Sequence, residues 1–447
     1  MPAQSQDLVE RVRGSYRDCV ARGLPIVAAL SGGVDSVVLL HILRRQLRLP
    51  AARLSAIHVN HQLHPLASRW AAFCRRYCRS LGVPVKVIKV EVVPGNSTER
   101  AARDARYRAL RSGGADIIAL GHHLNDQAET VLLQLLRDGG SRGLSAMPVC
   151  RRPAGGGPVL WRPLLECSRE VIEAYARRHG LQWIEDDSNE NRRFRRNFVR
   201  HDILPVLLRG IPDALDRLAS AAVRQQDTVA LLDEVAGADL NGVTAFPVTV
   251  SSLSALSERR CRNALRYLLG NAGVRIPGAK RLSELSRQLR AAKDDTRLAV
   301  TMDGVTLRLF RGCLHAVDSC VVDETVYKRF VHHCRDWTAQ QHILLPNGRL
   351  VFRKMRGGGL SASAVGPGGV TVRYRQGGEV MPERPDGPRR TLQGLLQRLA
   401  VPPWERGTLP LLYAGETLVA IADRLVHPDF CAGAGATGYR VAWLPDI

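Results

Sequence analysis

The sequence predicts an N-terminal α/β domain built on a doubly wound parallel sheet, then a mostly helical middle domain and a small α/β domain at the end. Three observations predict it. Four short apolar runs alternate with amphipathic stretches over the first 137 residues, which is the pattern of a parallel sheet with crossover helices. The longest helical periodicities gather between residues 213 and 291. A last strand, helix, strand pattern begins at 370. The domain boundaries that follow are 1–210, 211–320 and 370–447.

The elements can be justified in order. Residues 7–22 form an amphipathic helix leading into Pro25-Ile26-Val27-Ala28-Ala29-Leu30, a run short enough for a buried strand. Ser31-Gly32-Gly33-Val34-Asp35-Ser36 turns the chain into a helix that runs on from Val37 to Arg45. A second strand covers 54–60, a helix 68–81, and the cleanly alternating 85–92 a third strand. Helix 97–111, strand 115–121 and helix 123–137 complete the repeat. Loops follow at 138–143 and 152–158, and helices resume over 168–179 and 197–208. The middle domain reads as helices 213–235, 252–270 and 279–291, then a hairpin over 297–317 turning at Asp303-Gly304. The stretch 318–369 gives no clear pattern. Strand 370–376, helix 391–399 and strands after Leu411 close the chain.

At 447 residues the chain suffices for two or three domains. No apolar run reaches the roughly 20 residues of a membrane span, and charged residues near the start exclude a signal-peptide core. A cytoplasmic protein is expected. The ten cysteines include no C-x-x-C pair, which fits a reducing compartment and weakens any sulfur-relay reading. A net charge of +22, carried by arginine with only six lysines, suits a polyanionic partner such as nucleic acid.

In a doubly wound sheet, ligands bind beyond the carboxyl ends of the strands. That rule selects three segments. Ser31–Ser36 joins a strand to a helix start, where backbone N–H groups can hold an anion, and Gly32 and Gly33 allow close approach. No lysine follows, so it is not the G-x-x-x-x-G-K-[ST] loop. His58-Val59-Asn60-His61 ends the second strand, where a nucleoside ring would lie. Gly121–Thr130 opens a helix, and the spacing predicts that one helical face presents His122, Asp126 and Glu129. Two carboxylates beside an anion cradle invite Mg²⁺, with Asp35 joining Asp126 or Glu129. Further on, residues 185–197 join an acidic turn to the arginines 192, 193, 195 and 196. Spacing does not choose between a solvated loop and one in which Arg196 and Asn197 face the reaction centre.

These residues carry a specific resemblance. Ser31-Gly32-Gly33-Val34-Asp35-Ser36 resembles the pyrophosphate loop (PP-loop) of N-type ATP pyrophosphatases, whose domain is Rossmann-like. His58-Val59-Asn60-His61, His122-His123-x-x-Asp126-Gln127-Ala128-Glu129-Thr130, and Asp186-Asp187-Ser188-Asn189 with Arg196-Asn197 together resemble the tRNA(Ile)-lysidine synthetases. Glu99, Arg103, Arg106 and Tyr107 extend the match, as do Arg373–Glu379 and Pro402-Pro403-Trp404-x-Arg406. Gln393 stands where a lysine is expected. The resemblance implies a two-step ligase: ATP adenylates the oxygen on ring carbon 2 of the wobble cytidine in a CAU-anticodon isoleucine tRNA, and the ε-amine of free L-lysine then displaces AMP. It implies ATP at Ser31, Gly32, Gly33, Val34, Asp35, Ser36 and His58. Catalysis would fall to Asp35, Asp126, Glu129 and Arg196, and Mg²⁺ to Asp35 and Asp126. Substrate would meet His122, Asp186, Asp187 and Asn197. The rivals are a PP-loop tRNA thiolase, which brings catalytic cysteines absent here, an RNA-binding protein with an inactive nucleotide fold, and an amidotransferase-coupled synthetase.

Overall fold

The computed structural model describes the chain except residues 1, 22, 63, 92–97, 138, 154–155, 186–190, 193, 293–297, 319–326, 328, 340–341 and 446–447, and the side chains of 2–6 and 98–100. The chain forms two compact units, Met1–Asp295 with Gly312–Leu314, and Thr296–Arg311 with His315–Ile447.

The first unit is organised on a six-stranded sheet of β1 (Ile26–Ala29), β2 (Leu54–Asn60), β3 (Val85–Lys89), β4 (Ile117–Ala119), β5 (Cys150–Arg151) and β6 (Val159–Trp161). Its order is β3-β2-β1-β4-β6-β5, parallel except for the edge strand β5. The chain winds outward through β1, β2 and β3, then crosses back to place β4 on the other side of β1. That reversal leaves a crevice at the carboxyl ends of β1 and β4. β5 and β6 flank the loop expected at 152–158, in positions to which the sequence assigned no element. Strands of two and three residues are too short to show alternation.

Helices cover both faces: α1 (Pro2–Cys19), α2 (Val34–His41), α3 (Ala67–Leu81), α4 (Thr98–Arg111), α5 (Leu124–Leu135), α6 (Ser141–Leu144) and α7 (Arg169–Arg178). Ile26 and Ala28 join a core with Leu8, Val37, Cys74, Trp161 and Tyr175, while Val27 and Ala29 join one with Ile57, Leu110 and Ile118. A strand buried on both faces must be apolar throughout, which is why β1 reads as a continuous run. The helical part holds α8 (Arg195–Phe198), α9 (Leu204–Gly210), α10 (Ala214–Asp239), α11 (Val250–Ser254), α12 (Glu258–Asn271) and α13 (Ala279–Ala291). Between α8 and α9 the helix continues through Val199–Ile203 with a wider turn, Leu204 N–H reaching the Val199 carbonyl.

The second unit contains the expected hairpin, Ala299–Met302 with Val305–Phe310, turning at Asp303 and Gly304, both at positive φ. Val331–Cys334, Val370–Arg373, Leu411–Ala414, Thr417–Ile421 and Leu425–Val426 form a five-stranded sheet. Gly348–Arg356 pairs along its whole length with Thr437–Pro445. The patternless stretch 318–369 therefore supplies strands of this unit. The expected helix is Leu392–Arg398, capped by the Thr391 hydroxyl.

Candidate active site

The turn after β1 is held from within by the hydroxyls of Ser31 and Ser36, which lie 3.1 Å apart. Ser36 Oγ accepts the N–H groups of Ser31 (3.2 Å) and Gly32 (3.1 Å) and donates to the Gly33 carbonyl (2.9 Å). Gly33 is the N-cap of α2, and its own N–H donates to Ser31 Oγ at 3.3 Å. Gly32 sits at φ +97°, and a Cβ there would lie 2.4 Å from Ile184 Cδ1. Ile184 N–H donates to the Gly32 carbonyl at 2.9 Å, fastening the 181–184 segment to the turn. The result is a pre-shaped anion cradle.

A cavity of about 390 Å³ opens beside the cradle at the ends of β1 and β2, with Ser31, His58, Asn60, Trp70, Arg106 and Phe194 in its walls. His58 is buried, its Nδ1 2.9 Å from the Leu30 carbonyl, and burial lowers its pKa below the ordinary value. His64 and Trp70 stack with centroids 4.6 Å apart at one wall. A flat apolar slot with a few polar groups suits a nucleoside.

The third segment departs from the expected helical face. α5 begins at Leu124 with His123 as its N-cap, and the Asp126 carboxylate accepts the His123 N–H at 3.1 Å. That capping box sets the helix start, so His122 precedes the helix instead of sharing a face with Asp126 and Glu129. Burial, with Arg106, Arg162 and Arg196 nearby, pushes His122 down to about 3, which keeps it neutral. His123 is the residue that bridges the cradle and the carboxylates. Its Nε2 lies 3.7 Å from Asp35 Oδ1 and 3.5 Å from Asp126 Oδ2. Its position three residues before Asp126 in a helix-start pattern is the signal that points to it.

Asp126 and Glu129 meet two arginines of the helix that begins at α8. Arg196 donates to Glu129 Oε2 (2.7 Å) and Asp126 Oδ1 (2.9 Å). Arg200, absent from the sequence-based candidates, donates to Glu129 Oε1 (2.6 Å) and Oε2 (3.1 Å) and to Asp126 Oδ1 (3.2 Å). Glu129 is fully buried, with both oxygens engaged. Burial opposes ionisation of Asp126, but His123, Arg196, His122 and Arg200 outweigh it and hold its carboxyl at about 2. Asn197 donates to the Asn191 carbonyl at 3.0 Å, and Arg192 pairs with Asp202 at 2.9 Å. Asp186 and Asp187 lie outside the described residues, as does the side chain of Glu99.

Asp35 differs from the other carboxylates. Burial raises its pKa, against the pull of His123 and Arg169, and its Oδ1 has no hydrogen-bond partner among the described residues. A buried carboxylate oxygen without a donor, facing an anion cradle, fits a hard divalent cation that shares its other ligands with phosphate. Among the described residues no cluster of three or more His, Cys, Asp or Glu forms a complete protein cage. The donor set suits Mg²⁺ held jointly with a nucleotide.

The fold and the cradle define the class: a PP-loop, ATP-using protein. Residues 6–207 match the PP-loop domain family, 249–315 the TilS substrate binding domain and 370–443 the TilS substrate C-terminal domain. The tRNA(Ile)-lysidine synthase of Nitrosomonas europaea is 36% identical over 445 residues, covering 98% of this chain and 96% of the relative. That of Pseudomonas fluorescens is 40% identical over 433 residues, covering 93% and 92%. The chain belongs to the tRNA(Ile)-lysidine synthase family. Among solved structures, the U34-tRNA thiolase NcsA from Methanococcus maripaludis is 16% identical, with a TM-score of 0.41 over 50% of this chain and 80% of its own. Nothing about activity follows from so distant a likeness.

Proposed function

We propose that the chain makes lysidine at the wobble cytidine of a CAU-anticodon isoleucine tRNA, using ATP and free L-lysine. In the first step the cytidine O2 attacks the α-phosphorus of ATP and pyrophosphate leaves. In the second the lysine ε-amine attacks ring carbon 2 and AMP leaves. The observation that carries this reading is the bridge of His123 between Asp35, beside the phosphate cradle, and Asp126, beside the arginine pair.

The cradle at Ser31–Ser36 would receive the phosphates, and the cavity lined by His58 and Trp70 the nucleoside. Asp35 and Asp126 would hold Mg²⁺, which would offset charge on the departing pyrophosphate. Arg196 would meet the phosphate left on the cytidine, since a guanidinium fork suits a phosphoryl group. His122, neutral and adjacent, would border the bound substrate. Asp186, Asp187 and Asn197 are further candidates for holding the lysine or its acceptor. The lysine must shed a proton from its ε-amine before attack, and the acidic side of the site favours its other ammonium.

The arginine-rich surface suits a tRNA held by shape and phosphates. Among the described residues no helix is long and apolar enough to cross a membrane, and we place the protein in the cytoplasm. The test mixes protein, ATP, Mg²⁺, labelled lysine and CAU-anticodon isoleucine tRNA. Label in the RNA, with one AMP and one pyrophosphate per lysine, is expected. ATP-dependent modification without lysine label, or sulfur label entering from cysteine, would overturn the reading.

A further inference from the structure

The four charged groups at the centre of the site are not equivalent, and the difference lies between the two arginines. Arg200 donates three of the five hydrogen bonds that join the arginines to the carboxylates, and it alone spans both oxygens of Glu129. Arg196 gives one bond to each carboxylate. The two residues stand four apart on a continuous helix, so they share a face, with Arg196 one turn nearer its beginning. Phe194, two residues before Arg196, lines the nucleoside cavity. Arg196 acts electrostatically on His122 and on Arg106, a cavity residue, as well as on Asp126, an influence on Asp126 that it shares with Arg200.

A fully buried carboxylate needs a charge partner at every stage of a reaction, because an unpaired buried charge is strongly destabilising. If Arg196 turned one of its donors toward a phosphate, Glu129 would keep a two-pronged pair with Arg200. If Arg200 were absent, the same movement would strand Glu129. We infer that Arg200 is a positioning residue for adenylation, the fixed anchor of Glu129 and Asp126 that lets Arg196 change partners from carboxylate to phosphate. This rests on the adenylation reading above. Arg200 touches neither nucleotide nor reacting atoms.

The test is ATP–pyrophosphate exchange with CAU-anticodon isoleucine tRNA and no lysine, comparing Arg200→Lys, Arg200→Gln, Arg196→Gln and the pairs Glu129→Gln/Arg200→Gln and Glu129→Gln/Arg196→Gln. Lysine keeps the charge but loses the fork. Arg200→Lys is expected to lower kcat at least tenfold with the KM for ATP within twofold. Arg200→Gln is expected to fall further, and Glu129→Gln added to it to recover at least tenfold, because the stranded charge is gone. The same addition to Arg196→Gln is expected to recover nothing. Should Arg200→Gln not fold, the Arg200→Lys split and the Glu129→Gln/Arg200→Gln pair still decide. An Arg200→Lys variant equal to wild type would overturn the inference. So would a raised KM for ATP, or a failure of Glu129→Gln to recover activity. Absence of wild-type exchange would instead overturn the adenylation reading, and this inference with it.

Discussion

His123 Nε2 faces the Oδ1 of Asp35 at 3.7 Å, and this contact joins the phosphate cradle on α2 to the carboxylates on α5. Asp35 Oδ1 accepts no hydrogen bond among the described residues, which leaves that oxygen available to a cation. Asp35→Ala is expected to lower ATP–pyrophosphate exchange at least a hundredfold while tRNA affinity, read by filter binding, stays within threefold. His123→Asn is expected to fall between that variant and wild type. Loss of tRNA binding in Asp35→Ala would place that residue elsewhere in the mechanism.

The hydroxyl of Ser36 satisfies two backbone donors and one carbonyl inside the turn. Ser36→Ala leaves those groups without it, a loss of about 1–3 kcal/mol by the cost of unsatisfied buried groups. The expected result is a lower melting temperature and a KM for ATP raised roughly tenfold, by the rule that about 1.4 kcal/mol is a factor of ten. Thermal unfolding and exchange kinetics on the same preparation check both.

Gly32→Ala meets two obstacles, a left-handed backbone at φ +97° and the side chain of Ile184. The first costs about 1–2 kcal/mol for a residue with a Cβ. The second is removable. Gly32→Ala combined with Ile184→Ala is expected to regain part of the nucleotide affinity lost in the single variant, and equilibrium binding of ATP measures it.

Burial, with His179 and Arg45 near it, pushes the His41 imidazole down to about 4 from the usual 6.5. Below pH 6.5 the unfolded chain takes up a proton that the folded chain refuses until about pH 4. Stability therefore falls as pH drops through that window and is unaffected by this group above it. His41→Gln removes the proton uptake. Melting temperatures measured from pH 7 to pH 4.5 are expected to decline less steeply in the variant than in wild type.

The cradle was readable in the sequence because its chemistry is local. Gly32, Gly33 and Ser36 specify a sharp turn before a helix whatever surrounds them. The carboxylates Asp126 and Glu129 were readable for the same reason, as neighbours on one helix. His122 was misplaced because a capping box, and not hydrophobic periodicity, fixes where α5 starts. Arg200 was invisible because its partners lie 71 and 74 residues away, and sequence spacing carries no such distance. The strands β5 and β6 are too short to show a period, and Gly348–Arg356 finds its partner only near the end of the chain. Local rules gave the parts; the pairings between distant parts came from the fold.

A Cβ on Gly121 would lie 3.2 Å from the carbonyl carbon of Asp35 and from the amide nitrogen of Ser36. The loop before α5 thus rests on the main chain of the turn before α2 with no side chain between them. The spacing from phosphate cradle to carboxylates is accordingly set by main chain lying close against main chain: no rotamer at that contact can lengthen or trim it, and a side chain at Gly121 would have to press the two turns apart.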